Sequence, residues 1–185
     1  MSDPQDAALQ LAVVEAIHSI GEGSRVCLDC ADVLSAEEGV LVGDTGYGYL
    51  LLLAETRASA TYPPRPFRVN AGAVHQYLSL SDGKTAYLSD LRSAQSLTVW
   101  SASGQSRAVP LGRIKLEKRP LLRIECQLNG QRISATVQDS ESVYLLAEFG
   151  AVALKELKQG DRLRARPDVA GRHLGQRIEE SIEEY

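Results

Sequence analysis

Short apolar runs, broken by Gly, Pro, Asn-Gly and Asp-Gly, recur along the whole chain. Val40-Leu41-Val42-Gly43 precedes Asp44-Thr45-Gly46-Tyr47-Gly48, and Tyr49-Leu50-Leu51-Leu52-Leu53-Ala54 resumes the apolar pattern. Asp82-Gly83 parts a run around Tyr77–Leu80 from one around Ala86–Leu88. The clearest signal is Leu122–Leu128, then Asn129-Gly130, then Arg132–Val137. Both flanks alternate at period two, and Asn-Gly favours the type I′ turn whose twist matches a hairpin. Such spacing predicts a mostly β fold with little helix, an antiparallel barrel or sandwich.

A weak repeat adds to this picture. Leu88-Ser89-Asp90-Leu91, followed by Leu97-Thr98-Val99, recurs as Leu154-Lys155-Glu156-Leu157, followed by Leu163-Arg164-Ala165. Each copy reads as a short turn feeding a strand, with Lys158-Gln159-Gly160-Asp161 as turn chemistry in the second. Two copies are too few for a solenoid and predict two β units packed together. Residues 9–20 fit a helix on Leu9, Val13, Ala16 and Ile20, or a strand, and periodicity leaves both open. Gly21-Glu22-Gly23-Ser24 reads as the turn that follows. The expected organisation is a flexible terminus over residues 1–8 and one β domain over residues 9–185.

The chain has 185 residues, 44% apolar and 24% charged, enough for a hydrophobic core of its own. Its net charge of -4 argues against non-specific nucleic-acid binding, which needs excess Lys and Arg. It leaves room for an anionic small molecule, because a few local arginines suffice. No apolar run is long enough to span a bilayer and no secretory leader precedes the first strand, so a cytoplasmic location is expected. Cys27 and Cys30 form a CxxC, but no second ligand pair follows and the segment reads as a strand. Buried, reduced thiols are expected there and at Cys126, and no metal site.

The densest chemistry lies in Arg65-Pro66-Phe67-Arg68-Val69-Asn70-Ala71-Gly72-Ala73-Val74-His75. Arginine offers a rigid fork for carboxylate or phosphate, and His75 can carry a proton near neutral pH. If Phe67–Val69 is extended, Arg65 and Arg68 point to opposite faces. Asn70-Ala71-Gly72 reads as a turn where backbone could approach a ligand. A surface turn with solvated arginines fits equally well.

This segment resembles a signature of the archaeal-type (type II) 3-dehydroquinate synthases. Gly23–Cys27, Glu38–Gly43, Glu55-Thr56, Gly83-Lys84-Thr85 and Tyr87-Leu88-Ser89 are similar to further family segments in the same order. Gly112–Leu122 is close to a second long signature, and Arg172-His173-Leu174-Gly175 with Ile178-Glu179-Glu180 closes the match. The resemblance covers about residues 12 to 185, the C-terminal half of such enzymes. Departures are Val40 for an expected methionine, Leu53 for a histidine, and Gln138-Asp139-Ser140-Glu141 for an Asn-Ala-Glu segment.

The resemblance implies NAD-dependent oxidative deamination of an aminated, dideoxy ketosugar acid, then ring closure to 3-dehydroquinate. No GxGxxG stands between a strand and a helix, so NAD rests on the resemblance alone. His75 and Lys115 are the expected catalytic residues; Glu55, Arg65, Arg68, Asn70, Arg119 and His173 are expected to hold an anionic substrate. On a strand, Lys115, Glu117 and Arg119 share one face, for which a solvated surface is the plain alternative. His18 is assigned no role, and the acidic tail from Glu179 to Glu184 is expected to be solvated. Because the family's N-terminal half is missing, the chain is expected to be inactive alone and to work beside a complementary chain or to self-associate. Two other readings stay open: a domain that now binds a metabolite or assists assembly, and a piece of a longer enzyme.

Overall fold

The computed structural model describes residues 8–170, the two short strands Arg172–His173 and Gln176–Arg177 without their side chains, and residues 182–185. The expected flexible terminus, apart from Ala8, lies outside the described residues. In chain order the strands are β1 (Gln10–Cys30), β2 (Glu38–Gly43), β3 (Gly48–Leu53), β4 (Arg68–Ala73), β5 (Tyr77–Ser79), β6 (Thr85–Tyr87) and β7 (Ser96–Ser101). They continue as β8 (Ser106–Leu128), β9 (Gln131–Gln138), β10 (Tyr144–Ala147), β11 (Gly150–Ala153), β12 (Arg162–Pro167), β13 (Arg172–His173) and β14 (Gln176–Arg177). The first twelve form one sheet in which every pairing is antiparallel, the mostly β fold expected. Helix is confined to two single 3-10 turns, Leu88–Asp90 and Leu154–Glu156, among the described residues.

Those two turns are the repeat read from the sequence, and the duplication extends to the pairings. β1 pairs with β4 as β8 pairs with β9, and β5 with β6 as β10 with β11. β7 pairs with β8 as β12 pairs with β1. The β2–β3 hairpin bridges the copies: β2 pairs with β5 and β7, and β3 with β10 and β12. At the centre, β1 and β8 form one long antiparallel ribbon.

Of residues 9–20, all but Leu9 lie in strand β1. Ala12 and Val14 are buried and Val13 is 41% exposed, the alternation a helix would not give. The expected turn at Gly21–Ser24 is not a turn: β1 runs through it, and Gly21, at φ 95°, follows a register shift after Ser19. Asn129 and Gly130 both take positive φ, 53° and 79°, and join β8 to β9 as their sequence predicts.

Val40, Val42, Leu50 and Leu52 of β2 and β3 enter the main core with Val26, Leu28, Val69 and Ile124. Leu41, Tyr49, Leu51 and Leu53 point the other way into a second apolar cluster with Trp100. The central hairpin is thus buried on both faces. No helix among the described residues is long and apolar enough to cross a membrane.

Candidate functional site

The register of β4, β1 and β8 creates a polar face that no single stretch of sequence displays. Cys27 lies opposite Asn70 on one side and Lys115 on the other; Asp29 lies between Arg68 and Arg113; Arg25 faces Glu117. Directly opposed antiparallel residues point the same way, so all eight side chains share one face. Arg65, Glu55 and Tyr62 close it from the segment between β3 and β4, and Gln138 from the end of β9. The result is a cleft of about 190 Å³ lined by five cations, Arg25, Arg65, Arg68, Lys115 and Arg119, against two carboxylates, Glu55 and Glu117. In a chain of net charge -4, this is a local reversal of sign.

Arg65 and Arg68 were expected on opposite faces of an extended run. A turn at Pro66-Phe67, closed by the Arg68 N–H donating to the Arg65 carbonyl at 2.9 Å, brings both to the cleft instead. Arg65 Nη2 stands 2.8 Å from Glu55 Oε1, and its guanidinium lies 4.6 Å from the Tyr62 ring centre. Arg68 is held more tightly. Its Nε donates to Asp29 Oδ1 at 2.7 Å and its Nη2 to Oδ2 at 3.0 Å, while Arg113 Nε donates to Oδ2 at 2.8 Å. Burial pushes the Asp29 carboxyl up, but hydrogen bonds from the two arginines outweigh it and hold the group below its ordinary range. Arg68 therefore builds the wall rather than offering a free fork.

Arg25 is buried and donates from Nη1 to Gln138 Oε1 at 2.9 Å, an oxygen that also accepts from Asn70 Nδ2 at 2.7 Å. Among the buried atoms of the lining, Arg25 Nε, Arg65 Nε and Asn70 Oδ1 have no hydrogen bond, and Glu55 Oε1 has only its ion pair with Arg65. Buried polar atoms are almost always paired, so two donors and an acceptor left unused in one cleft mark a place shaped for a ligand. The Cys27 thiol, pushed by burial to about 11, stays protonated, and Cys30 and Cys126 are also buried and reduced. No group of three or more metal-binding side chains occurs among the described residues.

His75 is not in this cleft. Its Nε2 lies 2.7 Å from Asp44 Oδ1, which also accepts from Thr136 Oγ1 at 2.7 Å. Nor is Asn70-Ala71-Gly72 a turn: it lies in β4, where a register shift opposite Val26 and Cys27 keeps Asn70 on the cleft side. Gly72, at φ 84°, approaches Thr136, whose carbonyl would stand 2.1 Å from an added Cβ, so its close contact is with β9 rather than a ligand. The His173 side chain lies outside the described residues. Arg25, Gln138 and Asp29 were missed as site residues. Alternation along Arg25-Val26-Cys27-Leu28-Asp29 was visible, but their partners are set by strand pairing.

A family model of the 3-dehydroquinate synthase II C-terminal domain matches residues 11–185. The chain belongs to this family. A 3-dehydroquinate synthase of Haloquadratum walsbyi is 41% identical over 174 residues, covering 94% of this chain and 44% of the relative. A 3-dehydroquinate synthase homolog of Persephonella marina is 41% identical, covering 92% of this chain and 52% of the relative. The synthase of Methanothrix thermoacetophila is 38% identical, with 94% and 48% covered. The chain thus spans about half the length of the curated relatives it matches. No solved structure matches it. Leu53, where the resemblance expects histidine, is buried in the second apolar cluster, so that departure removes nothing from the lining of the cleft.

Proposed function

We propose that the cleft holds the carboxylate of a hydroxylated, sugar-derived acid, and that the chain is one half of a 3-dehydroquinate synthase, inactive without the other half. The observation that carries this reading is the set of unpaired buried atoms, Arg25 Nε, Arg65 Nε and Asn70 Oδ1, within a five-cation cleft. Arg65 and Arg119 receive the carboxylate, and Asn70 Oδ1 and Glu55 accept from hydroxyl or amine groups. Lys115, 41% exposed at the rim, is the group placed to move a proton. Arg68 positions the wall through Asp29. His75 stands outside the cleft, so a proton-transfer role for it requires a part of the substrate lying beyond this lining.

NAD does not fit this cleft. The described residues contain no α-helix whose N-terminus could seat a pyrophosphate, and about 190 Å³ is too small for a dinucleotide. If the reaction uses NAD, most of the dinucleotide lies outside this cleft. Under this reading the chain works in the cytoplasm with a complementary chain, or a second copy of itself, as its protein partner.

The test is to incubate the chain with the amino ketosugar acid and NAD, alone and with a candidate complementary chain, following NADH and 3-dehydroquinate. The expected result is turnover only with the second chain, since catalysis needs every reacting group held in place together. Turnover by the lone chain would refute the half-enzyme reading. Ligand binding without turnover in either case would favour a metabolite-binding domain, the reading suggested by the absence of His75 from the cleft.

A further inference from the structure

Three cations in the cleft converge on one side chain. Glu117 Oε1 lies 3.4 Å from Arg25 Nη2 and 3.6 Å from Lys115 Nζ, and Oε2 accepts from Arg119 Nη2. The geometry follows from the strand: Lys115, Glu117 and Arg119 alternate on one face of β8, and the register sets Arg25 directly opposite Glu117. The partners differ in freedom. Arg25 is 8% exposed and donates to Gln138, while the Glu117 side chain is 31% exposed.

A buried guanidinium needs a counter-charge, and among the described residues Glu117 is the only carboxylate paired with Arg25. Arg119, one of the two arginines assigned to the ligand's carboxylate, is also one of the cations that hold Glu117. A carboxylate brought to Arg119 meets the charge of Glu117 on the same guanidinium, so the two compete for it. Glu117 is the one with access to solvent.

Resting on the reading of the cleft as an anion site, we infer that Glu117 is a resident counter-ion which the ligand's carboxylate displaces. Binding is then an exchange of anions, with Arg25 neutralised before and after. The exchange also sets specificity. A neutral polyol cannot replace Glu117 and is rejected, whereas a carboxylate with adjacent hydroxyls replaces it and reaches Asn70 Oδ1 as well.

The test uses isothermal titration with malate, a small hydroxy-acid, on the full chain and on Glu117→Gln, Glu117→Asp and Glu22→Gln. Glu22 lies on an exposed stretch of β1, so its variant controls for the general gain of one positive charge. Glu117→Gln should bind malate roughly tenfold more tightly than the parent, because the competitor is gone but the cations remain. Glu117→Asp, whose shorter side chain holds the cations less well, should gain less, and Glu22→Gln should not change. Should Glu117→Gln fail to fold, the gain in Glu117→Asp decides the matter. Unchanged or weaker binding in the Glu117 variants, or an equal gain in Glu22→Gln, overturns the exchange while leaving the cleft as an anion site. No malate binding by any of the proteins overturns both.

Discussion

On the central ribbon, Arg25 and Cys27 of β1 face Glu117 and Lys115 of β8. At its other end, His18 and Ala16 face Arg123 and Glu125. The duplicated pairing makes these two ends counterparts: β4 borders the first and β9 the second. Even their caps correspond. The Glu55 N–H, just after β3, donates to the Arg68 carbonyl at 2.8 Å; the Asp44 N–H, just after β2, donates to the Ser134 carbonyl at 2.8 Å. The side chains, however, are finished differently. At the second end every acid meets a base: Glu125 lies 3.2 Å from His18 and 3.4 Å from Arg123, and Asp44 lies 2.7 Å from His75 and 3.7 Å from Arg123. At the first, cations outnumber acids. Each end keeps buried atoms without a hydrogen bond, but Asp44 Oδ2 at the second has Arg123 as its counter-charge, whereas the atoms at the first lie among surplus cations. Polarity does not distinguish a ligand site from a structural face here. Imbalance does.

The first end depends most on Asp29, the buried acid that fixes Arg68 and Arg113. Asp29→Ala should lower unfolding free energy by about 3 kcal/mol, because two guanidinium groups lose their counter-charge and Arg68 is only 12% exposed. Urea denaturation checks this. A loss under 1 kcal/mol would show that the cleft wall does not depend on the Asp29 pairs, and that Arg68 is free to bind ligand after all.

The second end can be probed through Asp44. Burial raises its pKa, but hydrogen bonds involving His75, Thr136 and Ser134 prevail and leave it below 3.8. A depressed folded-state pKa contributes stability that is fully present above the unfolded value and lost as pH falls through the folded one. Asp44→Asn should therefore cost about 1–2 kcal/mol near neutral pH, and the gap from the parent should narrow as pH drops below 3.8. Thermal unfolding across that range measures it. A gap that stays constant would mean the ionised carboxylate contributes nothing to the balanced face.

These contrasts also show what could be read from the chain. Asn129-Gly130 carried its own turn geometry, and the two Leu-x-x-Leu turns carried the repeat, because each is a local preference. Arg65, Arg68, Asn70, Lys115, Arg119 and Glu55 were named from motif and alternation, and they do meet. Arg25 and Gln138 were invisible because their importance arises from register between strands distant in sequence. His75 was grouped with the arginines by proximity in sequence, but its position just after the end of β4 carries it to the Asp44 side. Gly21 read as a turn because glycine marks both turns and bulges, and only the long partner β8 decides between them.

His18 gives the smallest effect and the cleanest check that the two ends are separate. It is 49% exposed and pairs with Glu125, which also has Arg123 at 3.4 Å and Arg132 at 3.8 Å. Removing one exposed member of such a set leaves Glu125 neutralised by its other partners, so His18→Ala should change stability by no more than ~0.5 kcal/mol. Malate binding should stay unchanged, because His18 is not among the cleft's lining residues and its partners are satisfied without a ligand. Titration of His18→Ala beside the parent reads this directly. A clear loss of malate affinity with stability intact would mean that the ligand reaches across the ribbon to Arg123 and Asp44. The balanced face would then belong to the binding site, and His75 would return to reach of the substrate.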